Sequence, residues 1–231
     1  MIKINNAEEL ANKIDYTNLN NLSKKEDIDY LVKKANEYKF YSVVVSPYYV
    51  KYTKEILKDS PTKLVTVAGF PLGFTTPKAK KKEAKIAIKD GIDELDMVVN
   101  IQALKARDYY TVAEEIEKVK NVCGEKVLKV IIEAELLNNE EIVKVSEIIA
   151  NSGADYIKTS TGMSGLSPKI SDIISIQKTA PQMKIKASGG IKDIKTAMRL
   201  ISLGVDRIGT SSGDLIVEEY KRISEKHWNY V

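Results

Sequence analysis

Asp155-Tyr156-Ile157-Lys158-Thr159-Ser160-Thr161-Gly162 and Met183-Lys184-Ile185-Lys186-Ala187-Ser188-Gly189-Gly190 follow one local design. Each runs a short strand-forming stretch into a lysine, then into a turn of small residues. A helical pattern follows each turn, Ser171 to Thr179 in the first case and Asp193 to Ile201 in the second. Strand, turn and helix repeated in tandem predict parallel strands joined by helical crossovers. A lysine inside a strand with apolar neighbours is costly unless it points into a cavity that holds partners for it. Two of them in successive units suggest a shared pocket. Desolvation and a neighbouring ammonium both lower a lysine's pKa, leaving a neutral amine able to attack a carbonyl. The competing reading is two surface lysines in a lysine-rich chain.

The same alternation extends in both directions. Ala7 to Lys13 reads as a short extra helix at the N-terminus, and Ile14 to Thr17 as the first strand. Glu26 to Tyr38 carries Ile28, Leu31, Val32 and Ala35 at helical spacing. Tyr41 to Val45 and Lys63 to Ala68 read as strands two and three, with a helix from Tyr49 to Leu57 between them. Pro77 is well placed to open a helix to Lys89, closed by Asp90-Gly91. Glu94 to Val99 is the fourth strand and Asp108 to Asn121 its helix; Leu128 to Ala134 is the fifth, with Asn138 capping a helix to Ala150. Val205 to Gly209 is the eighth strand, and Asp214 to Glu225 the last helix. Eight units in 231 residues, with no linker or shift of composition, predict a single α/β domain over 1–231, a closed (β/α)₈ barrel. A doubly wound open sheet is the alternative, but no nucleotide fingerprint follows the first strand.

Composition narrows the function. The chain is 43% hydrophobic and 29% charged, ordinary for a soluble globular protein. A net charge of +4, with lysines spread along the chain, argues against a nucleic-acid partner. The run Lys78, Lys80, Lys81, Lys82, Lys85 reads as the solvated outer face of a helix. No stretch reaches membrane-spanning length and no apolar signal core opens the chain, so a cytoplasmic address is expected. The single cysteine, Cys123, fits a reducing compartment. With one histidine, His227, a catalytic zinc site or a histidine-assisted nucleophile is not expected, and acid–base work falls to Asp, Glu, Lys or Tyr. Composition leaves a carboxylate-bound magnesium open, though no metal or cofactor is expected. The tail Trp228-Asn229-Tyr230-Val231 reads as a frayed end, with a fold-over of the barrel mouth as the other reading.

In such barrels chemistry gathers where strands end. Those ends carry Asp15, Ser46, the Gly69–Gly73 loop, Asn100, Lys158, Lys186 and Gly209-Thr210-Ser211-Ser212-Gly213. Asp96 alternates with Val98 and so shares a face with Asn100. Pointing into a barrel, it needs a cation, and the two lysines are candidates; a purely structural ion pair is the other reading. Gly189-Gly190 and Ser211-Ser212-Gly213 precede helices, where backbone N–H groups bind phosphate.

Val67-Ala68-Gly69-Phe70-Pro71-Leu72-Gly73, the Glu94–Asn100 strand, Lys129-Val130-Ile131-Ile132-Glu133, Lys158-Thr159-Ser160-Thr161-Gly162, Lys186-Ala187-Ser188-Gly189-Gly190-Ile191 and Gly209-Thr210-Ser211-Ser212-Gly213 together resemble the deoxyribose-phosphate aldolase family, in order, from about Asp15 to Gly213. The resemblance implies a (β/α)₈ class I aldolase that reversibly cleaves 2-deoxy-D-ribose 5-phosphate to D-glyceraldehyde 3-phosphate and acetaldehyde, in deoxynucleoside breakdown. It implies Lys158 as the Schiff-base lysine, Lys186 as the second lysine that tunes it, and Asp96 as the carboxylate that shuttles protons. It implies substrate and phosphate contacts at Asp15, Gly162, Gly189, Gly190, Gly209, Ser211 and Ser212. Asp15-Tyr16-Thr17, Met163 and Lys192 depart from common family patterns, and a lysine at 192 lacks the bidentate fork of the arginine often found there. The implied partner is a small phosphosugar, with no nucleic acid and no membrane, and a homo-oligomer is left open. Another phosphosugar aldolase or isomerase on the same barrel, or a non-catalytic phosphosugar-binding barrel, would keep the glycine turns.

Overall fold

The structure, a computed structural model, describes residues 4–163 and 167–228. Its strands are β1 (Ile14–Asn18), β2 (Ser42–Val45), β3 (Lys63–Ala68), β4 (Glu94–Val98), β5 (Val127–Ile131), β6 (Tyr156–Lys158), β7 (Lys184–Ser188) and β8 (Arg207–Thr210). All neighbours pair in parallel in sequence order, and β8 returns to β1 through Ile14↔Ile208 and Asp15↔Gly209. This is the closed eight-stranded barrel expected from the alternation.

Each strand has two buried faces with different jobs. Val43, Leu64, Leu95, Leu128, Ile157 and Ile208 point outward into the main apolar core, shared with the surrounding helices. Their neighbours in sequence point into the barrel, and that lining is mixed: Val65, Val67 and Val98 lie alongside fully or nearly fully buried Asp15, Ser42, Glu94, Asp96, Lys129, Lys186 and Arg207.

The helices are α1 (Ala7–Ala11), α2 (Lys25–Tyr38), α3 (Val50–Ile56), α4 (Pro77–Lys89), α5 (Ile101–Lys105), α6 (Tyr109–Cys123), α7 (Asn139–Asn151), α8 (Ile170–Thr179), α9 (Ile194–Ser202) and α10 (Gly213–Trp228). Several of their starts are fixed by caps: Asn6 accepts from Glu9 N–H, Asn100 from Ala103 N–H, and Asp193 from Thr196 N–H. Asn138 and Glu141 form a reciprocal capping box at α7.

Three expectations change. The N-terminal helix stops at Ala11 rather than Lys13. The five-residue helix α5 has no counterpart in the sequence pattern, since it is too short to show a period. Lys80 is not part of a solvated face: it is fully buried and pairs with Glu115 of α6 at 2.7 Å. It shares its side of α4 with Ala84 and Ala87, and its ammonium also donates to the Val98 carbonyl at 2.8 Å. Glu115 in turn accepts the Asn100 N–H at 2.6 Å, so this pair ties α4 and α6 to the end of β4. The tail's final residues, 229–231, lie outside the described residues, and with them the choice between its two readings.

Candidate active site

Register brings the inward-facing charges to one belt. Lys158 stands beside Lys186, Lys186 beside Arg207, and Asp96 beside Lys129 in the parallel ladders. Because inward positions recur every second residue, Glu94 lies one step below Asp96 on β4. Side chains from six residues on β4, β5, β6, β7, β8 and β1 are thus forced together, and Glu94 makes a seventh.

The resulting network is continuous. Asp96 Oδ2 accepts from Lys158 Nζ at 3.0 Å and from Lys186 Nζ at 2.9 Å, while its Oδ1 accepts from Lys129 Nζ at 2.9 Å. Lys186 also pairs with Asp15 Oδ2 at 2.6 Å. Lys129 reaches Glu94 at 2.5 Å. Arg207 closes the floor, donating from Nη1 to Asp15 at 2.6 Å and from Nη2 to Glu94 at 2.8 Å. Its guanidinium stacks 3.4 Å from the Tyr41 ring centre, and Ser42 Oγ donates to Asp15 Oδ1 at 2.6 Å.

Counting charges shows where the network is soft. Four cations (Lys129, Lys158, Lys186, Arg207) face three carboxylates (Asp15, Glu94, Asp96). Lys129, Lys186 and Arg207 each touch two carboxylates. Among the described residues of this network, Lys158 alone touches one, and it shares that oxygen with Lys186. If every group were ionised the cluster would carry one surplus positive charge. Releasing the Lys158 proton cancels it.

The pKa shifts agree with that count. Burial pulls Lys158 down to about 8; Asp96 opposes the shift and the Lys186 ammonium adds to it. Burial works against the charge on Asp96, yet Lys129, Lys186 and Lys158 outweigh it and hold the carboxyl well below its usual range. Asp15 is held down in the same way, against burial, by Lys186 and Arg207. For Lys129 burial is overcome by Asp96, Asp15 and Glu94, so its proton is held more tightly than usual.

Above the belt lie the turns. Gly189 and Gly190 both take positive φ, 103° and 59°, a path that L side chains resist, and Asp193 then caps α9. Thr210 ties this turn to the next: its hydroxyl donates to the Ile191 carbonyl at 2.6 Å and accepts the Ser212 N–H at 2.9 Å. Ser212 N–H is therefore engaged within its own turn. Ser211 is exposed, Ser212 half-buried, and Gly213 opens α10. A Cβ on Gly162 would lie 3.8 Å from Gly189 Cα, so the turns after β6 and β7 touch.

Lys158, Lys186 and Asp96 therefore meet, and Gly162, Gly189, Gly190, Ser211 and Ser212 line turns at the same end. Two expected contact residues sit elsewhere. Asp15 is fully buried, because β1 points it inward at the level of Lys186 and Arg207, so it is a member of the ion network. Gly209 lies in β8 itself, where a Cβ would collide with Ser188 Oγ and come within 2.8 Å of Lys186 Cε; its bareness makes room for the lysine. The sequence reading gave no role to Lys129, Glu94, Arg207 or Thr210. A charge set between apolar neighbours in a strand, as in Val127-Leu128-Lys129-Val130-Ile131, is the signal that marks Lys129.

Residues 10–215 match the DeoC/LacD family of aldolases. The deoxyribose-phosphate aldolase of Mycoplasmopsis pulmonis is 46% identical over 211 residues, spanning 91% of this chain and 96% of that protein. That of Thermococcus kodakarensis is 46% identical over 218 residues, 92% of this chain and 97% of its own. The tetrameric deoxyribose phosphate aldolase structure from Aeropyrum pernix is 31% identical, with a TM-score of 0.86 over 94% of this chain and 93% of that one.

Proposed function

The chain belongs to the DeoC/LacD aldolase family, and on that footing we propose that it cleaves 2-deoxy-D-ribose 5-phosphate through an imine on Lys158. It is a carbon–carbon lyase. The observation that carries the assignment to Lys158 is its place in the network: buried, with one shared carboxylate, and acidified to about 8.

The neutral Lys158 amine adds to the C1 aldehyde of the open-chain sugar, and loss of water gives a protonated imine. Asp96 and Lys186, hydrogen-bonded to each other, relay the protons that addition and dehydration require. Removal of the C3 hydroxyl proton lets the C2–C3 bond break. Its electron pair moves into the imine to form an enamine, and D-glyceraldehyde 3-phosphate leaves. Protonation of the enamine at C2 and hydrolysis release acetaldehyde and restore Lys158. The turns at Gly162, Gly189-Gly190 and Ser211-Ser212, with the α10 N-terminus behind them, take the phosphate. A cytoplasmic enzyme that self-associates completes the reading, supported by the lone buried Cys123 and by the tetrameric relative.

Borohydride reduction in the presence of 2-deoxyribose 5-phosphate tests it. The peptide containing Lys158 should gain the two acetaldehyde carbons. An adduct confined to Lys186 or Lys129, or none, would refute the assignment.

A further inference from the structure

The ladder between β3 and β4 ends at Ala68↔Met97, while β4 runs on through Val98 into the turn at Asn100. On its other flank the strand is still paired, since Val99 N–H donates to the Ile131 carbonyl of β5 at 3.0 Å. Backbone groups alternate sides along a strand, so the Val98 carbonyl and the Asn100 N–H face the flank that β3 has left. In a continuing parallel ladder one residue of β3 would serve both, donating its N–H to the first and accepting from the second. Here an ion pair from the helical layer does so. Lys80 Nζ donates to the Val98 carbonyl at 2.8 Å, and Glu115 Oε1 accepts the Asn100 N–H at 2.6 Å. The two side chains, both fully buried, join at 2.7 Å.

The departure of β3 matches this arrangement. Gly69 turns away with φ 63°, and its N–H goes to Glu83 Oε2 at 2.6 Å. A Cβ on Gly69 would come within 2.8 Å of Lys80 Cε, so the lysine stem runs directly against the turn. Gly73 brings the loop back, its N–H on the Gly69 carbonyl at 2.8 Å, and a Cβ there would collide with the Val99 carbonyl oxygen.

We propose that Lys80 and Glu115 are positioning residues for the aldolase reaction. They stand in for one residue of β3 and fix the end of β4, so that Asp96, two residues before Val98, keeps its place among Lys158, Lys186 and Lys129. This rests on the reading that Asp96 relays protons to an imine on Lys158. A buried ion pair is a weak source of stability, but it holds two backbone groups of opposite polarity at a set spacing, which no apolar pair can do. The phosphate turns follow β6, β7 and β8, so the effect of the pair falls on kcat rather than KM.

Two double variants separate positioning from stability. Lys80→Met with Glu115→Leu leaves no buried charge unpaired, yet gives up both backbone groups. Lys80→Met with Glu115→Gln keeps the bond from Asn100 N–H on the amide oxygen. With 2-deoxyribose 5-phosphate, the Leu double should lose about ten- to a hundredfold in kcat, with KM within about twofold of the parent. The Gln double should regain about fivefold in kcat, the worth of one hydrogen bond. Amide hydrogen exchange reads the same contact without turnover: protection of Asn100 N–H should fall about tenfold in the Leu double and persist in the Gln double, with Val130 N–H unchanged in both. A Leu double with parental kcat, parental protection at Asn100, or the same kcat as the Gln double would overturn the proposal. If the Leu double does not fold, the Gln double decides alone: it still lacks the Val98 bond, and a parental kcat there would overturn the proposal. Absence of any borohydride adduct at Lys158 in the parent would instead overturn the underlying reading while the exchange result stands, so the two failures are distinct.

Discussion

Replacing Lys186 with methionine should make Lys158 more basic, by an amount the geometry sets. Both ammonium groups sit on Asp96 Oδ2, at 3.0 and 2.9 Å, so their nitrogens lie within about 6 Å of each other. At an effective dielectric of about 20, two like charges at that range repel by about 3 kcal/mol, or about two pKa units. The substitution also leaves the whole of Oδ2 to Lys158, which pushes the same way, while the apolar methionine stem adds a smaller opposing desolvation. The pKa of Lys158 should therefore climb from about 8 to about 10. At pH 7.5 the neutral fraction would drop from about a quarter to about 0.3%, roughly a 75-fold loss.

Turnover is the wrong assay, since Lys186 also carries protons in the proposed cycle. The initial rate of cyanoborohydride-trapped adduct at Lys158 isolates imine formation. The variant should match the parent's pH 7.5 rate near pH 9.5 and lose about tenfold per unit below that. A profile that stays in place, or moves to lower pH, would show that Lys186 does not acidify Lys158 by its charge.

Three further outcomes follow from the same contacts. Asp96→Asn is nearly isosteric but removes the carboxylate that three lysines share, so kcat should fall by roughly two to four powers of ten with the barrel's circular dichroism unchanged; full activity with a shifted Tm would make Asp96 structural. Lys80→Met strands Glu115 in a buried site and should cost about 3 kcal/mol, read as a lower Tm, while Lys80→Met with Glu115→Leu should recover most of it; a single variant as stable as the parent would contradict the pairing. Ser212→Asp places a negative charge at the α10 N-terminus and should raise KM for 2-deoxyribose 5-phosphate without a matching loss on 2-deoxyribose; equal losses on both would move the phosphate elsewhere.

The barrel was legible because its strands are short apolar runs and its helices carry clear caps and periods. Lys158 and Lys186 were legible for a related reason: a lysine amid Tyr156, Ile157 and Ile185 has nowhere to go but inward. What the alternation does not carry is register across a ladder. That Asp96 stands beside Lys129, and that Arg207 reaches both Asp15 and Glu94, depends on shear between strands far apart in sequence. Lys80 was misread although its spacing held the answer. It lies four and seven residues before Ala84 and Ala87, on the buried stripe, while Lys78, Lys81 and Lys82 lie off it. Composition outweighed period in that reading. The left-handed backbone of Glu133, φ 50°, leaves no sequence signal, because at a glutamate it is a tertiary demand rather than a local preference.

The ion network also explains why so costly an interior persists. Seven buried charges are expensive to desolvate, and a barrel filled with leucine and valine of equal volume would be no less stable and often more so. Such a core could not hold a lysine near neutrality. Burial supplies most of the acidification of Lys158, the Lys186 ammonium adds to it, and the other fixed charges of the network already sum to zero. Each of Lys129, Lys186 and Arg207 is secured by two carboxylates, whereas Lys158 holds one that it shares. Removing any one of the three carboxylates would leave the surplus charge larger and the Asp96 relay less defined. Adding one would return the proton to Lys158. In the proposed cycle the ratio of four cations to three carboxylates leaves Lys158, the last residue of β6, as the available amine.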